Sequence, residues 1–178
     1  MNRCVEEFRD LLKNPISHCG ITVGLFEPNN YYHWRVSLIG PKDSSYVGGL
    51  FKLSVRFPND YPQHPPEVCF LTPIYHLNVN PKAPKAPGEE SLGHVCISQL
   101  NWWKPHYRMR EVLECIFALF YLQNPDSPYG VDKAKEFHDD RPLYEEKIKY
   151  FIDKYAKEEF NNVQYSRTEN WDFTIPPK

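Results

Sequence analysis

Prolines crowd one part of this chain, with Pro58, Pro62, Pro65, Pro66, Pro73, Pro81, Pro84 and Pro87 all falling between residues 58 and 87. Proline locks φ and lacks the backbone N–H, so neither a helix nor the middle of a sheet can run through such a stretch. This part should therefore be turns and extended surface segments rather than helix.

Before the prolines, Ile21/Val23/Leu25, Tyr32/Trp34/Val36/Leu38 and Phe51/Leu53/Val55/Phe57 alternate apolar with polar positions. Glu27-Pro28-Asn29-Asn30 and Gly40-Pro41-Lys42-Asp43 with Gly48-Gly49 separate them, which predicts an antiparallel meander. Val68 to Leu71, fenced by Pro65-Pro66 and Pro73, adds a fourth strand at one edge. Ahead of the strands, Val5, Phe8, Leu11 and Leu12 recur at helical spacing between an Asn2 cap and the stop at Asn14-Pro15. After the prolines, Leu113, Ile116, Phe117 and Phe120 mark an apolar helix from Met109 to Leu122, ended by Asn124-Pro125-Asp126-Ser127-Pro128. A short helix is predicted from Asp132 to His138. A longer one runs from Pro142 to about Phe160, with Tyr144, Ile148, Phe151, Ile152 and Tyr155 on one stripe.

Residues 72–108 show no regular period and contain Cys96; long irregular segments inside a compact domain are usually functional or mobile. The run Pro81-Lys82-Ala83-Pro84-Lys85-Ala86-Pro87 favours a solvated polyproline II conformation. Residues 161–178, which include Tyr165, Trp171, Phe173 and Ile175, are expected to be a disordered extension, with folding back on the domain or recruiting a partner as the other readings.

At 178 residues the chain is long enough for one core and short for two. No apolar run approaches the roughly 18–20 residues of a membrane span. The N-terminus is charged from the start, so cytosol or nucleus is the expected location and no membrane partner is foreseen. A formal charge of -2 gives no general attraction to nucleic acid. The 5 cysteines, Cys4, Cys19, Cys69, Cys96 and Cys115, are odd in number and irregularly spaced, so reduced thiols and no metal site are expected.

Four strings then stand in a telling order: Phe57-Pro58-Asn59-Asp60-Tyr61-Pro62-Gln63-His64-Pro65-Pro66, Tyr75-His76-Leu77-Asn78, Gly93-His94-Val95-Cys96-Ile97 and Trp103-Lys104-Pro105. Together with Gly48-Gly49-Leu50-Phe51-Lys52-Leu53 and Asn124-Pro125-Asp126-Ser127-Pro128, they resemble the ubiquitin-conjugating enzyme family over residues 1–160. The resemblance implies an α+β fold: a first helix, a four-stranded antiparallel meander, an irregular active-site segment, a central helix and two C-terminal helices. That is the element order read independently from the residues.

The chemistry implied is acceptance of ubiquitin from an activating enzyme as a thioester on Cys96, then transfer to a substrate lysine with a ligase. ATP is spent by the activating enzyme; no bound cofactor and a monomeric chain are expected. Outside its motif, a cysteine between Val95 and Ile97 reads as an inert buried thiol, and Cys69 and Cys115 are read as core. Asn78 matches the family asparagine that stabilises the oxyanion, or else braces its loop. His76 matches a structural histidine. Ser127 matches a position that orients the incoming lysine, or else it caps a turn. Ser98 stands where many ubiquitin carriers have aspartate, which makes the local field less negative.

Two departures from the family pattern stand out. Leu77 replaces a proline, which removes a fixed φ from the turn presenting Asn78, so weaker preorganisation is expected there. An insertion over 81–92, carrying Glu89 and Glu90, lengthens the path to Cys96 and is either a lid or docking loop or a tolerated surface insertion. Partner surfaces implied by resemblance are Arg3, Glu6, Arg9 and Lys13 on the first helix, then Gln63, and Lys104-Pro105-His106. Gln63 is polar where members serving one ligase type carry phenylalanine, which weakens that anchor. Trp103 is expected to pack under the active-site loop, whereas Trp102 has no assigned role.

Other readings remain open at this level. The carried modifier is SUMO or NEDD8 instead of ubiquitin, or the chain is a poorly charging ubiquitin-binding scaffold. A cysteine hydrolase would use Cys96 with His76 or His94, but no helix is predicted after Cys96 to place the thiol at a helix N-terminus. A zinc site from His76, His94 and Cys96 lacks a fourth ligand.

Overall fold

A computed structural model describes residues 2–85, 91–157, 170, 171 and 173. Helix α1, Arg3–Lys13, starts where the Asn2 side chain accepts a hydrogen bond from the Cys4 N–H at 2.9 Å, and it ends at Asn14, before Pro15. Its buried stripe is Cys4, Glu7, Phe8 and Leu11. Leu12, expected to face inward, is 58% exposed, because the stripe is turned to seat Glu7 inside.

Strands β1 (Ile21–Leu25), β2 (His33–Ile39), β3 (Leu50–Arg56) and β4 (Glu67–Phe70) form one antiparallel sheet in the order β1-β2-β3-β4. The register sets Val36 opposite Leu53 and Leu53 opposite Phe70. With a period of two, Trp34, Val36, Leu38, Leu53, Val55, Val68 and Phe70 then share one face, and all are buried.

Four helices follow: α2 (Ser98–Asn101), α3 (Met109–Ala118), α4 (Val131–Asp139) and α5 (Arg141–Tyr155). Helix α3 is shorter than the apolar pattern suggests. Phe120, past its end, still meets the sheet side of the core, with ring centroids 5.3 Å from Phe51 and 6.5 Å from Phe70. Helix α5 begins at an Asp140 cap and buries Tyr144, Ile148, Phe151 and Ile152. It stops at Tyr155, short of the predicted Phe160, where the Ala156 carbonyl accepts from the Leu50 N–H at 2.8 Å; residues 158–160 lie outside the described part.

Glu7, 4% exposed, ties the two halves together. Arg3 pairs with its Oε1, the Tyr61 hydroxyl donates to the same oxygen at 3.0 Å, and the Met109 N–H heading α3 donates to Oε2 at 2.6 Å. A buried carboxylate is tolerable here because both oxygens are engaged and one faces a helix N-terminus.

Three residues of the tail, Asn170, Trp171 and Phe173, are described, and they lie against the domain. Asn170 Oδ1 accepts from the Ala83 N–H at 2.9 Å, and the Trp171 N–H donates to the Pro81 carbonyl at 3.0 Å. The Phe173 ring lies 4.9 Å from Tyr75 and 5.0 Å from Phe151, an aromatic platform that sequence neighbours do not reveal. Pro81 and Ala83 are buried beneath these contacts, whereas Lys82, Pro84 and Lys85 are exposed, so the described part of this segment is solvated on one side. Tyr165, Ile175, Glu89 and Glu90 lie outside the described residues.

Candidate active site

The thiol segment is held from both sides. Gly93 has φ +80°, and a Cβ there would lie 2.0 Å from the Phe70 carbonyl oxygen, so only glycine lets the chain close on β4. The Phe70 N–H donates to Gly93 O at 2.8 Å and the Val95 N–H to Val68 O at 3.2 Å. On the other side, Asn80 N–H donates to His94 O at 2.9 Å and Cys96 N–H to Asn78 O at 2.9 Å. Asn80, which sequence reasoning passed over, also pinches the insertion at its base: its Nδ2 donates to the Lys82 and Ser91 carbonyls, each at 3.1 Å.

Directly after Ile97 comes α2, a single turn that the sequence reading does not foresee. Ile97 and Leu100 are buried and anchor it. Its last residue, Asn101, donates from Nδ2 to Cys96 Sγ at 3.2 Å, while Ser127 Oγ stands 3.5 Å from the same sulfur. A run of four residues is too short to carry a periodic signal, so Asn101 had none to be found by.

Asn78 is fully buried and spends its whole carboxamide on the facing loop. Nδ2 donates to Asn124 O at 2.8 Å and to Ser127 O at 3.0 Å, and Oδ1 accepts from the Asn124 N–H at 2.8 Å. His76 Nδ1 accepts from the Asn78 N–H at 2.9 Å, and its Nε2 donates to Leu119 O at 3.1 Å. Burial lowers the imidazole to about 3, so it stays neutral and keeps both roles across the physiological range.

Leu77 does not leave the turn loose. Its N–H, which a proline would lack, donates to Gln123 Oε1 at 3.2 Å, and Gln123 is held in turn by the Tyr144 hydroxyl. Lys133, 4% exposed, donates from Nζ to the carbonyls of His76 at 2.8 Å and Val79 at 3.1 Å. The expected loss of preorganisation is therefore offset by two side chains from distant segments. Burial, with Lys82 nearby as a lesser cause, lowers the Lys133 ammonium to about 7.

An open cleft of about 340 Å³ runs past the sulfur, lined by Cys96, Asn101, Trp102, Leu122, Asn124 and Ser127 among others. Trp102 is 78% exposed along it. Cys115, read as core, is only half-buried and lines the same cleft. Burial and then Glu114 and Glu111 push its thiol up, which makes it a poor nucleophile. Trp103 Nε1 donates to Pro62 O at 2.7 Å and its ring lies 5.8 Å from Tyr61, bracing the proline-rich turn.

Of the residues implied for partners, Glu6, Arg9, Lys13, Gln63, Lys104, Pro105 and His106 are exposed. Arg3 is partly withdrawn, paired with Glu7 and donating to Tyr107 O at 3.0 Å. Among the described residues no group of three or more His, Cys, Asp or Glu side chains is placed to hold a metal ion, and no helix is long and apolar enough to cross a membrane.

The thiol segment, stapled on both sides, stands at an open cleft of the α+β scaffold. The family model for "Ubiquitin-conjugating enzyme" matches residues 3–152. A relative from Schizosaccharomyces pombe named "Ubiquitin-conjugating enzyme E2 14" is 36% identical over 157 residues, covering 87% of this chain and 93% of its own. The chain belongs to the ubiquitin-conjugating enzyme family and is an enzyme that transfers ubiquitin, which in general involves an activating enzyme and a ligase.

Proposed function

We propose that Cys96 accepts ubiquitin from the activating enzyme as a thioester and passes it to a substrate lysine with the help of a ligase. In the first step the Cys96 sulfur attacks the carbonyl carbon of the incoming thioester, a new C–S bond forms, and the activating enzyme leaves as thiolate. In the second, the lysine amine attacks the same carbon, the C–S bond breaks, its electron pair returns to Cys96, and the amine gives its proton to solvent. The observation that carries this reading is the placement of the Cys96 sulfur at an open cleft between Asn101 and Ser127.

Asn78 is proposed to act by bracing. Both hydrogens of its carboxamide lie on the Asn124 and Ser127 carbonyls, which favours fixing the loop opposite Cys96 over direct donation to an oxyanion. Ser127, with its hydroxyl 3.5 Å from the sulfur, is proposed to orient the arriving amine. The exposed face of α1 with Gln63 and Lys104-Pro105-His106 is proposed to meet the activating enzyme and the ligase. The reading takes ATP as spent upstream, invokes no bound cofactor, treats the chain as a monomer, and suits a reducing cytosol or nucleus, since none of the cysteines stands in a disulfide.

The test is to supply ubiquitin, SUMO or NEDD8 with its own activating enzyme and Mg-ATP, and to follow an adduct that thiol reductant removes. Adduct with ubiquitin alone is the expected result; charging only with SUMO or NEDD8 would reassign the modifier.

A further inference from the structure

Two neutral side chains touch the Cys96 sulfur, and the asparagine expected to serve the reaction is not one of them. Asn78 has both amide hydrogens on backbone carbonyls, and His76 has both ring nitrogens engaged, on Leu119 O and the Asn78 N–H. Asn101 instead aims Nδ2 at Cys96 Sγ from 3.2 Å. Its position is built rather than incidental. The Asn101 N–H donates to Ile97 O at 3.0 Å and the Trp102 N–H to Ser98 O at 2.9 Å, while buried Leu100 fixes the turn from below.

We infer that Asn101 is a catalytic residue whose carboxamide hydrogen-bonds the Cys96 sulfur as a thiolate, both when that sulfur attacks and when it leaves. The inference rests on Cys96 being the carrier. During transfer onto the enzyme, the donor holds the attacking thiolate beside the cleft. During transfer to lysine, the C–N bond forms as the C–S bond breaks, and the electron pair arriving on sulfur meets the same N–H. A hydrogen bond to a charged acceptor is stronger than one to a neutral acceptor, so the contact favours the step in which charge appears on sulfur. An amide does not titrate, so it remains a donor at any pH where a lysine is deprotonated enough to react.

The test uses the full chain with Asn101→Ala, Asn101→Gln and Asn101→Asp. One arm follows discharge of preformed ubiquitin thioester to free lysine in single turnover. The other follows alkylation of Cys96 by iodoacetamide near neutral pH, read by peptide mass spectrometry. Asn101→Ala is expected to slow discharge by about ten- to a hundredfold, the range of one hydrogen bond to a charged group, and alkylation by less, because a thiolate without its donor is scarcer but more nucleophilic. Asn101→Gln should recover part of each rate and Asn101→Asp none, since a carboxylate repels the thiolate. The thermal midpoint should stay unchanged because Asn101 is exposed. Rates in Asn101→Ala equal to wild type in both arms overturn the inference. If the wild type takes no modifier at all, the carrier reading falls, yet the alkylation arm still decides whether Asn101 acts on the sulfur.

Discussion

Replacing Lys133 with methionine removes an amine that the fold has buried beneath the turn carrying Asn78. Burial lowers this group from an ordinary value of 10.5 to about 7. Between those values the unfolded chain holds a proton that the folded chain has released, so the group makes stability rise with pH across that window and leaves it level on either side. From about pH 7.5 to about pH 9 the linkage amounts to about 2 kcal/mol. Of the groups near it, Lys82 is the second cause of its shift, the Tyr75 hydroxyl is pushed up by burial and bonded to Glu136, and Glu136 pairs with Lys147. A neutral amine still has two hydrogens for the His76 and Val79 carbonyls, so deprotonation does not cost the turn its clamp. Urea titrations of wild type and Lys133→Met at the two pH values isolate this group in the difference between the proteins. That difference is expected to move in favour of wild type by about 2 kcal/mol at the higher pH. A difference that does not change with pH would mean that Lys133 keeps its proton as in the unfolded chain, and the reasoning would be refuted.

Other substitutions probe the frame around the thiol. Glu7→Ala strands Arg3, the Tyr61 hydroxyl and the Met109 N–H, and should cost about 3–5 kcal/mol by urea denaturation. A loss under about 1 kcal/mol would place the carboxylate outside the core network. Asn78→Ala leaves the Asn124 N–H and two carbonyls without their partner, so it should cost about 1–3 kcal/mol and also slow discharge. Slowed discharge with unchanged stability would return Asn78 to direct oxyanion donation.

The sheet was legible because a period of two with turn residues at its breaks survives in Trp34/Val36/Leu38 and Leu53/Val55, where burial and periodicity coincide. The apolar stripe of α5 was legible for the same reason, although its end was not, since helix ends depend on contacts such as that of the Ala156 carbonyl with Leu50. The Cys96 segment was found through its motif. What stayed hidden is non-local. Gln123 and Lys133 reach the Leu77 turn from 46 and 57 residues away, and nothing in the local sequence says that a leucine N–H will be used where a proline has none. Asn101 stayed hidden because one helical turn has no period, and Glu7 because a charged residue on a helix is ordinarily assigned to the wet face. The docking of Trp171 on Pro81 and of Phe173 on Tyr75, each across roughly half of the chain, belongs to the same class.

The central claim is that ubiquitin rides on Cys96, and it is tested most directly by locating the bond. Charged wild type should carry ubiquitin through a linkage cleaved by thiol reductant, with the acyl group on the Cys96 peptide by mass spectrometry. Cys96→Ser should trap an oxygen ester that resists reductant and yields to alkali. A reductant-sensitive adduct that persists in Cys96→Ser, with the acyl group on Cys115 or another thiol, would contradict it.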